Sequence, residues 1–123
     1  MERFIALTAL PNTPEAEAVL TEIDLQKGVI DSVYVTFPPG SVGLLHLQLF
    51  IHGEQVSPWN KTGSLIGNDV TIQALKDYVL DQPPYRIIAK LWNLDDTYPH
   101  KVLLDIMESD EKDQSLSDIV LGL

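Results

Sequence analysis

Three histidines are the side chains of this chain that most readily ligate a metal ion. His46 and His52 point the same way along a predicted strand, but six residues of extended chain hold them about 20 Å apart. They therefore cannot share one ion. His46 with Gln48 or His100 could form a pair, yet no carboxylate is tied to them by spacing. We expect a solvated or interface surface here, with no metal site and no cofactor.

Asn93, Asp95 and Asp96 carry oxygen atoms of the kind that calcium prefers. Their spacing falls short of an EF-hand loop, which needs a central glycine and a glutamate at the twelfth position. Asn and Asp are also ordinary turn residues, because their side chains bond to their own backbone. We predict a tight hydrogen-bonded turn at this corner, with calcium ligation as the alternative.

The acidic residues are too numerous to single out a catalytic pair. Glycoside hydrolysis needs two carboxylates about 5–9 Å apart, and eighteen acids make such pairs inevitable by chance. The chain has no Gly-x-Ser-x-Gly elbow, P-loop or dinucleotide fingerprint, and no cysteine for a thiol nucleophile. We predict that the protein is not an enzyme, and a calcium-dependent or hydrolytic enzyme stays a minor alternative.

Large aromatic side chains offer a different chemistry, the stacking of sugar rings. Trp59, Trp92 and Tyr98 are the candidates for such a platform. Trp92 lies on a predicted strand, which favours a half-buried packing role, whereas Trp59 follows Ser57-Pro58 in a loop and is the better exposed anchor. A carbohydrate-binding β-sandwich module is therefore the alternative function.

Length and charge narrow the class of protein further. The 123 residues predict one domain with a real core, since 45% of them are hydrophobic. The net charge of −10 and the scattered basic residues argue against nucleic acid and anionic membranes as partners. No apolar run approaches the roughly 20 residues of a membrane span, and the first residues do not resemble a secretory signal. We expect synthesis in a cytoplasm.

Alternation of apolar and polar residues predicts the elements that position these side chains. It is clearest in residues 29–37, 44–52, 85–92 and 100–107, and weaker in 4–8, 19–26, 55–57 and 70–74. Frequent Gly and Pro turns separate the runs. Residues 1–107 are therefore predicted to form an all-β domain, an antiparallel β-sandwich that is jelly-roll-like.

Two segments of this domain could form a helix instead of a strand or loop. Thr13-Pro14-Glu15 resembles a helix start, with Thr13 as the cap and proline at the first helical position. Residues 71–80 place Ile72, Leu75 and Val79 on one side of a helix. We predict one helical turn at most for the first segment, and strand plus loop for the second.

Residues 108–123 differ from the rest of the chain. An acidic linker is predicted first, followed by a short amphipathic C-terminal arm whose apolar residues recur at helical spacing: Leu116, Ile119, Val120 and Leu123. So short a helix needs a surface to lie on. Packing on its own sandwich, docking on a neighbouring subunit and disorder all stay open.

Several short turn and strand-end motifs lie between residues 25 and 107: 27–30 (KGVI), 37–40 (FPPG), 43–47 (GLLHL), Gln55 with Pro58, 83–85 (PPY) and 92–100 (WNLDDTYPH). Together they resemble motifs of small virion-associated proteins of tailed phages. The resemblance implies a compact sandwich that decorates or cements a capsid, often as a trimer. Its partners would be its own copies and the major capsid protein, and its location the virion, with the cytoplasm as the alternative.

The sequence thus predicts a homo-oligomeric structural protein. We expect the contacts between copies to use one strand face with His46, Gln48 and Phe50, the exposed Trp59, and the C-terminal arm. Carbohydrate binding through Trp59, Trp92 and Tyr98 remains the alternative.

Overall fold

The computed structural model describes residues 1–110, and these residues form two packed β-sheets. The strands are β1 Glu2–Ala9, β2 Val19–Asp24, β3 Gly28–Phe37, β4 Leu45–Ile51, β5 Glu54–Ser57, β6 Val70–Leu80, β7 Arg86–Asn93 and β8 His100–Ser109. A single 3-10 turn, Glu15–Glu17, lies between β1 and β2. The all-β prediction is confirmed.

The strand order identifies the type of sandwich. One sheet has the order β1-β8-β3-β6 and the other β2-β7-β4-β5, with antiparallel pairs throughout. β1 pairs with β8, β2 with β7, β3 with β6 and β4 with β5, so the second half of the chain pairs with the first half in reverse order. This nested pairing is the eight-stranded jelly roll that the sequence predicted.

The core lies between the sheets and is built from the predicted apolar faces. Alternate residues of the central strands are fully buried, and they include Val33, Val35 and Phe37 of β3, Leu45, Leu47 and Leu49 of β4, Ile87, Ala89 and Leu91 of β7, and Val102, Leu104 and Ile106 of β8. Burial of these side chains removes apolar surface from water, which is the main driving force for folding. The intervening residues face outward and form the surfaces described below.

β6 is a strand along its whole length, so the helical alternative for residues 71–80 is wrong, and so is the loop that was expected after residue 74. Its register against β3 shifts between Val33 and Tyr34, which leaves Ala74 as the extra residue of a β-bulge. Because of that extra residue, Ile72 and Leu75 both pack against the core although they are three residues apart. The bulge thus produces the spacing that is also typical of a helix.

The segment before β2 forms one 3-10 turn, as predicted, but its cap differs. Pro14 is the residue at the N-terminal boundary of the turn, and no side chain caps it. The Thr13 hydroxyl instead donates a hydrogen bond to the carbonyl oxygen of Leu10, at 2.8 Å. The expectation of a Thr13 cap is wrong because that hydroxyl closes the preceding bend.

The last strand continues past the predicted domain boundary at residue 107. β8 ends at Ser109, and Glu108 is buried and forms an ion pair with Arg3 of β1. The start of the predicted acidic linker therefore belongs to the sheet. The predicted arm with Leu116, Ile119, Val120 and Leu123 lies outside the described residues. Within residues 1–110 there is no helix long and apolar enough to cross a membrane.

Candidate interaction surfaces

The outer side of the β1-β8-β3-β6 sheet carries a cluster of exposed apolar side chains. Phe4 keeps 73% of its surface exposed, and Tyr34, Leu103 and Met107 are also exposed. Strand register places Phe4 and Tyr34 on either side of Asp105, and Ala6 beside Leu103. Neighbouring side chains on one face of a sheet are close enough to form a continuous surface. We call this surface the β8 face: Phe4, Ala6, Tyr34, Leu103, Asp105 and Met107.

Asp105 lies at the centre of the β8 face. Its Oδ1 atom is buried and has no hydrogen-bond partner among the described residues. Glu2 lies on the same side, opposite Met107 of the neighbouring strand. Partial desolvation, together with the hydrogen bond to Asp105 and its charge, raises the pKa of the Glu2 carboxyl. The β8 face thus combines apolar surface with the Asp105 carboxylate, which interacts with Glu2 and has one buried oxygen without a described partner.

A second apolar surface lies on the outer side of the opposite sheet. It is a shallow groove of about 470 Å³, with Leu20, Phe50 and Ile88 among its lining residues. Glu15 and Lys90 also line the groove and form an ion pair of 3.0 Å. Phe50, predicted from the sequence to be an interface residue, is therefore accessible in this groove.

The other two residues of that predicted interface strand lie beneath a loop of their own chain. Gln48 is only 3% exposed, and its side-chain amide donates a 2.8 Å hydrogen bond to the carbonyl oxygen of Gly63. The His46 Nδ1 atom is 2.6 Å from the Ser64 hydroxyl. A β-bridge between Leu47 and Leu65 holds the loop in place. Gln48 therefore has almost no surface to offer to a partner, and His46 is half-buried.

Trp92 completes this covered cluster. Its ring stacks on the His46 ring with centroids 5.0 Å apart, and the Lys90 ammonium lies 5.4 Å from the indole centroid. Only 5% of Trp92 is exposed, so the packing role favoured from the sequence is confirmed. Burial lowers the pKa of His46, and the negative charge of Glu15 opposes that shift.

The remaining aromatic candidates are open to solvent. Trp59 is 93% exposed at the loop after β5, and Tyr98 is exposed in the corner between β7 and β8. Because Trp92 is buried, the three residues do not present one aromatic surface. Trp59 alone has an indole ring free to contact a ligand or a partner on both sides.

The corner between β7 and β8 crosses from one sheet to the other and is held by its own polar side chains. Buried Asn93 donates to the carbonyl oxygen of Tyr98 at 2.9 Å and accepts from the backbone amide of Asp95 at 3.0 Å. Asp95 accepts from the backbone amide of Thr97 at 2.8 Å and contacts His100 Nε2 at 2.8 Å. The predicted hydrogen-bonded turn is confirmed.

The same contacts set the charge state of the corner. The backbone amide of Thr97, the His100 ring and the backbone amide of Tyr98 hold the pKa of the Asp95 carboxyl below its usual value, against an opposing effect of burial. Both Asp95 oxygens are engaged in this turn. Within residues 1–110, no group of three or more His, Asp or Glu side chains is placed to hold a metal ion.

Comparison of the chain with protein-family models, with curated proteins and with solved structures finds no match. Of the residues predicted to form contacts, Phe50 and Trp59 are accessible, and the β8 face was not predicted. The sequence indicated this surface only through Leu103 and Met107. Both are apolar, yet they alternate with the core residues of β8 and therefore face outward.

Proposed function

We propose that this protein is a non-enzymatic structural protein that assembles with its own copies, as a capsid decoration or cement protein of a tailed phage does. The observation that carries the proposal is the β8 face, where Phe4, Leu103 and Met107 expose apolar surface on the outer side of one sheet. A cluster of large exposed apolar side chains around a single carboxylate is typical of a protein contact. The fold is compatible with this function, since jelly rolls occur in viral capsid proteins.

The charge of the chain supports the same function. A net charge of −10 keeps many copies soluble before assembly and leaves little attraction for nucleic acid. The proposed trimer, the major capsid protein as second partner and the virion as location follow from the resemblance over residues 25–107. A cytoplasmic assembly protein of the same fold is the alternative location and role.

The direct test is the absolute mass in solution, measured by light scattering on a sizing column. We expect the full chain to form a stable oligomer and Phe4→Ser to shift it toward the monomer. Val42→Ser is the matched control, because Val42 is equally exposed but lies in the loop between β3 and β4. A monomer at every concentration, which also fails to bind purified phage capsids in co-sedimentation, would refute the proposal.

The C-terminal arm is the second proposed contact. Its apolar residues, Leu116, Ile119, Val120 and Leu123, would dock on a neighbouring copy. A chain ending at Asp110 keeps β8 complete, because that strand ends at Ser109. We expect this truncation to lower the oligomer mass or its stability to dilution, and an unchanged oligomer would exclude the arm from the contacts.

Carbohydrate binding is the second candidate function, and the exposure of Trp59 favours it. Jelly rolls also occur in lectin domains, so the fold fits both functions. Because Trp92 is buried, a change in tryptophan fluorescence on glycan titration would report mainly on Trp59. A saturable change that Trp59→Ala abolishes would support a glycan site, whereas no change across a broad panel of sugars would exclude it.

A further inference from the structure

We propose that the β8 faces of two copies pack against each other about a two-fold axis that passes beside Leu103, so that Lys101 of each copy pairs with Asp105 of the other. This inference rests on the proposed self-assembly and adds the partner, the surface and the register. A two-fold contact joins copies in pairs, so it either gives a dimer or links two trimers, and it is not the contact within a trimer. It is built from the outward residues of β8, which follow one another as Lys101, Leu103, Asp105 and Met107.

The first step is the charge pattern along β8. Lys101 and Asp105 lie two residues on either side of Leu103, and a strand rises about 3.4 Å per residue. Their Cα atoms are thus about 13 Å apart, too far for an ion pair within one copy. Lys101 forms no ion pair with any described residue. Lys101 is therefore available to a partner, and the partly exposed Asp105 carboxylate, which is also hydrogen-bonded to Glu2, can meet it across the contact.

The positions of the charges determine which two-fold axis the contact can have. A contact between identical surfaces has a two-fold axis, and each residue meets its counterpart reciprocally. An axis that crosses β8 at right angles beside Leu103 brings the two strands together antiparallel and sets Lys101 opposite Asp105 twice. An axis parallel to β8 would set Asp105 opposite Asp105, and like charges repel. The charge pattern therefore selects the first arrangement.

The residues that lie beside Leu103 on the neighbouring strands would face their counterparts across the axis. The row of residues that crosses the sheet at Leu103 is uncharged, with Ala6 on one side and Thr36 and Thr71 on the other. The two threonine hydroxyls are bonded to each other at 2.9 Å, so they need no partner across the contact. Small and neutral residues at this position let the two sheets approach closely.

The last step is the environment of the ion pair. Phe4 and Tyr34 flank Asp105 and would exclude water from the pair, which strengthens the attraction between the two charges. The ammonium group of Lys101 would approach the Asp105 carboxylate from outside, since Asp105 is partly exposed although its Oδ1 atom is buried. Glu2 and Lys76 lie in the row of Met107, beyond the reach of the partner's β8, and stay at the solvated rim.

Charge exchange tests the pairing. Lys101→Glu and Asp105→Lys should each weaken the dimer at least about tenfold, because each replaces two attractions with two repulsions. The double variant carrying both changes restores opposite charges and should recover the dimer. Asp105→Asn removes the charge without repulsion and should have a smaller effect. Lys27→Glu makes the same charge change in the turn before β3 and is the control.

Cross-linking tests the position of the axis. The chain has no cysteine, so Leu103→Cys introduces a single thiol per copy at the point where the residue faces its own counterpart. Packed sheets are about 10 Å apart, which exceeds the reach of a disulfide, so a short bis-maleimide is the reagent. We expect covalent dimers from Leu103→Cys and few from Leu20→Cys on the opposite sheet.

The outcomes separate this inference from the proposed function. Loss of the dimer in the single variants and its recovery in the double variant, together with cross-linking at position 103, would establish the two-fold contact. A wild-type oligomer that both single variants leave intact would refute the contact but not self-assembly through another surface. A wild-type monomer that does not cross-link would refute this contact and count against self-assembly in solution.

Discussion

The charge state of His46 depends on its surroundings. It lies between the Trp92 ring and the Ser64 hydroxyl under the loop of residues 58–65, and this burial disfavours the protonated ring. The loop therefore packs against a neutral imidazole. Protonation would place a positive charge in a half-buried stack on the Trp92 ring.

The stability of the protein should consequently depend on pH through His46. The pKa of His46 is lower in the folded protein than its ordinary value of 6.5, so the unfolded chain takes up the proton first as the pH falls. The contribution is present above about pH 6.5 and is lost as the pH falls from there through the folded pKa. His46→Gln should make urea unfolding free energies at pH 8 and pH 5 more similar.

The control for this measurement is His52→Gln, because His52 is exposed and bonds to the carbonyl oxygens of Gln82 and Pro84 outside the stack. It should retain most of the pH dependence. An unchanged pH dependence in His46→Gln would show that the stack does not control the stability of the fold.

At the scale of elements, Glu108 joins three parts of the chain. Its carboxylate forms an ion pair with Arg3 of β1 and accepts a hydrogen bond from the backbone amide of Gln26, at 3.1 Å, in the turn after β2. Its backbone carbonyl accepts from the amino group of Met1. The end of β8 is thus fixed to the start of β1 and to the neighbouring turn.

Removal of Arg3 should therefore destabilise the domain more than removal of an arginine whose carboxylate partners are exposed. Arg3→Met leaves the buried Glu108 carboxylate without its cation, and we expect a loss of about 1–3 kcal/mol in urea unfolding. Arg86→Met is the comparison, because its carboxylate partners Glu22 and Asp24 are exposed, and it should cost at most about 1 kcal/mol. Equal losses would contradict the structural role of Glu108.

A strand was predictable from the sequence where apolar and polar residues alternate strictly along its whole length. β4 is the clearest example, since its apolar face from Leu45 to Ile51 is wholly buried. β6 was ambiguous because the bulge at Ala74 interrupts its alternation. The cover over Gln48 was unpredictable because Gly63 and Ser64 reach that strand only through a loop that folds back over the sheet.

At the scale of the whole molecule, the sandwich separates neighbouring residues into core and surface. Leu103 and Leu104 are adjacent and of one type, yet Leu104 is fully buried and Leu103 is exposed on the β8 face. Leu104→Ala should lower the free energy of unfolding by about 2–5 kcal/mol, since it leaves a cavity between the sheets. Leu103→Ala should change it by about 0.5 kcal/mol or less when measured on the monomer by urea denaturation.

This pair also separates stability from assembly. Leu103→Ala should weaken self-association while leaving the unfolding of the monomer nearly unchanged. Similar losses of stability in both variants would mean that the sheet face of Leu103 is covered in the monomer.

The fold of the whole molecule followed from local patterns, but its surfaces did not. Phe4, Tyr34 and Leu103 belong to three different strands, and only the pairing of β1 and β3 with β8 brings them together. The pattern of a single strand shows which of its residues share a face, but it does not show which strands lie beside it in the sheet. For that reason the sequence predicted a contact surface on one strand, whereas the β8 face needed the strand order. Self-assembly through either surface remains a prediction.

The nested pairing of the strands also affects how the chain matures during synthesis. β1 is made before the other described strands, but β8, its partner in the sheet among residues 1–110, is made about a hundred residues later. At ribosomal rates this delay amounts to roughly 5–20 s, far longer than the microseconds in which a hairpin forms. During that interval the edge of β1 and the apolar side chain of Leu7 have no native partner strand to cover them. Translation speed and chaperone access over this interval should therefore influence the yield of native protein more than they would for a sandwich built of local hairpins.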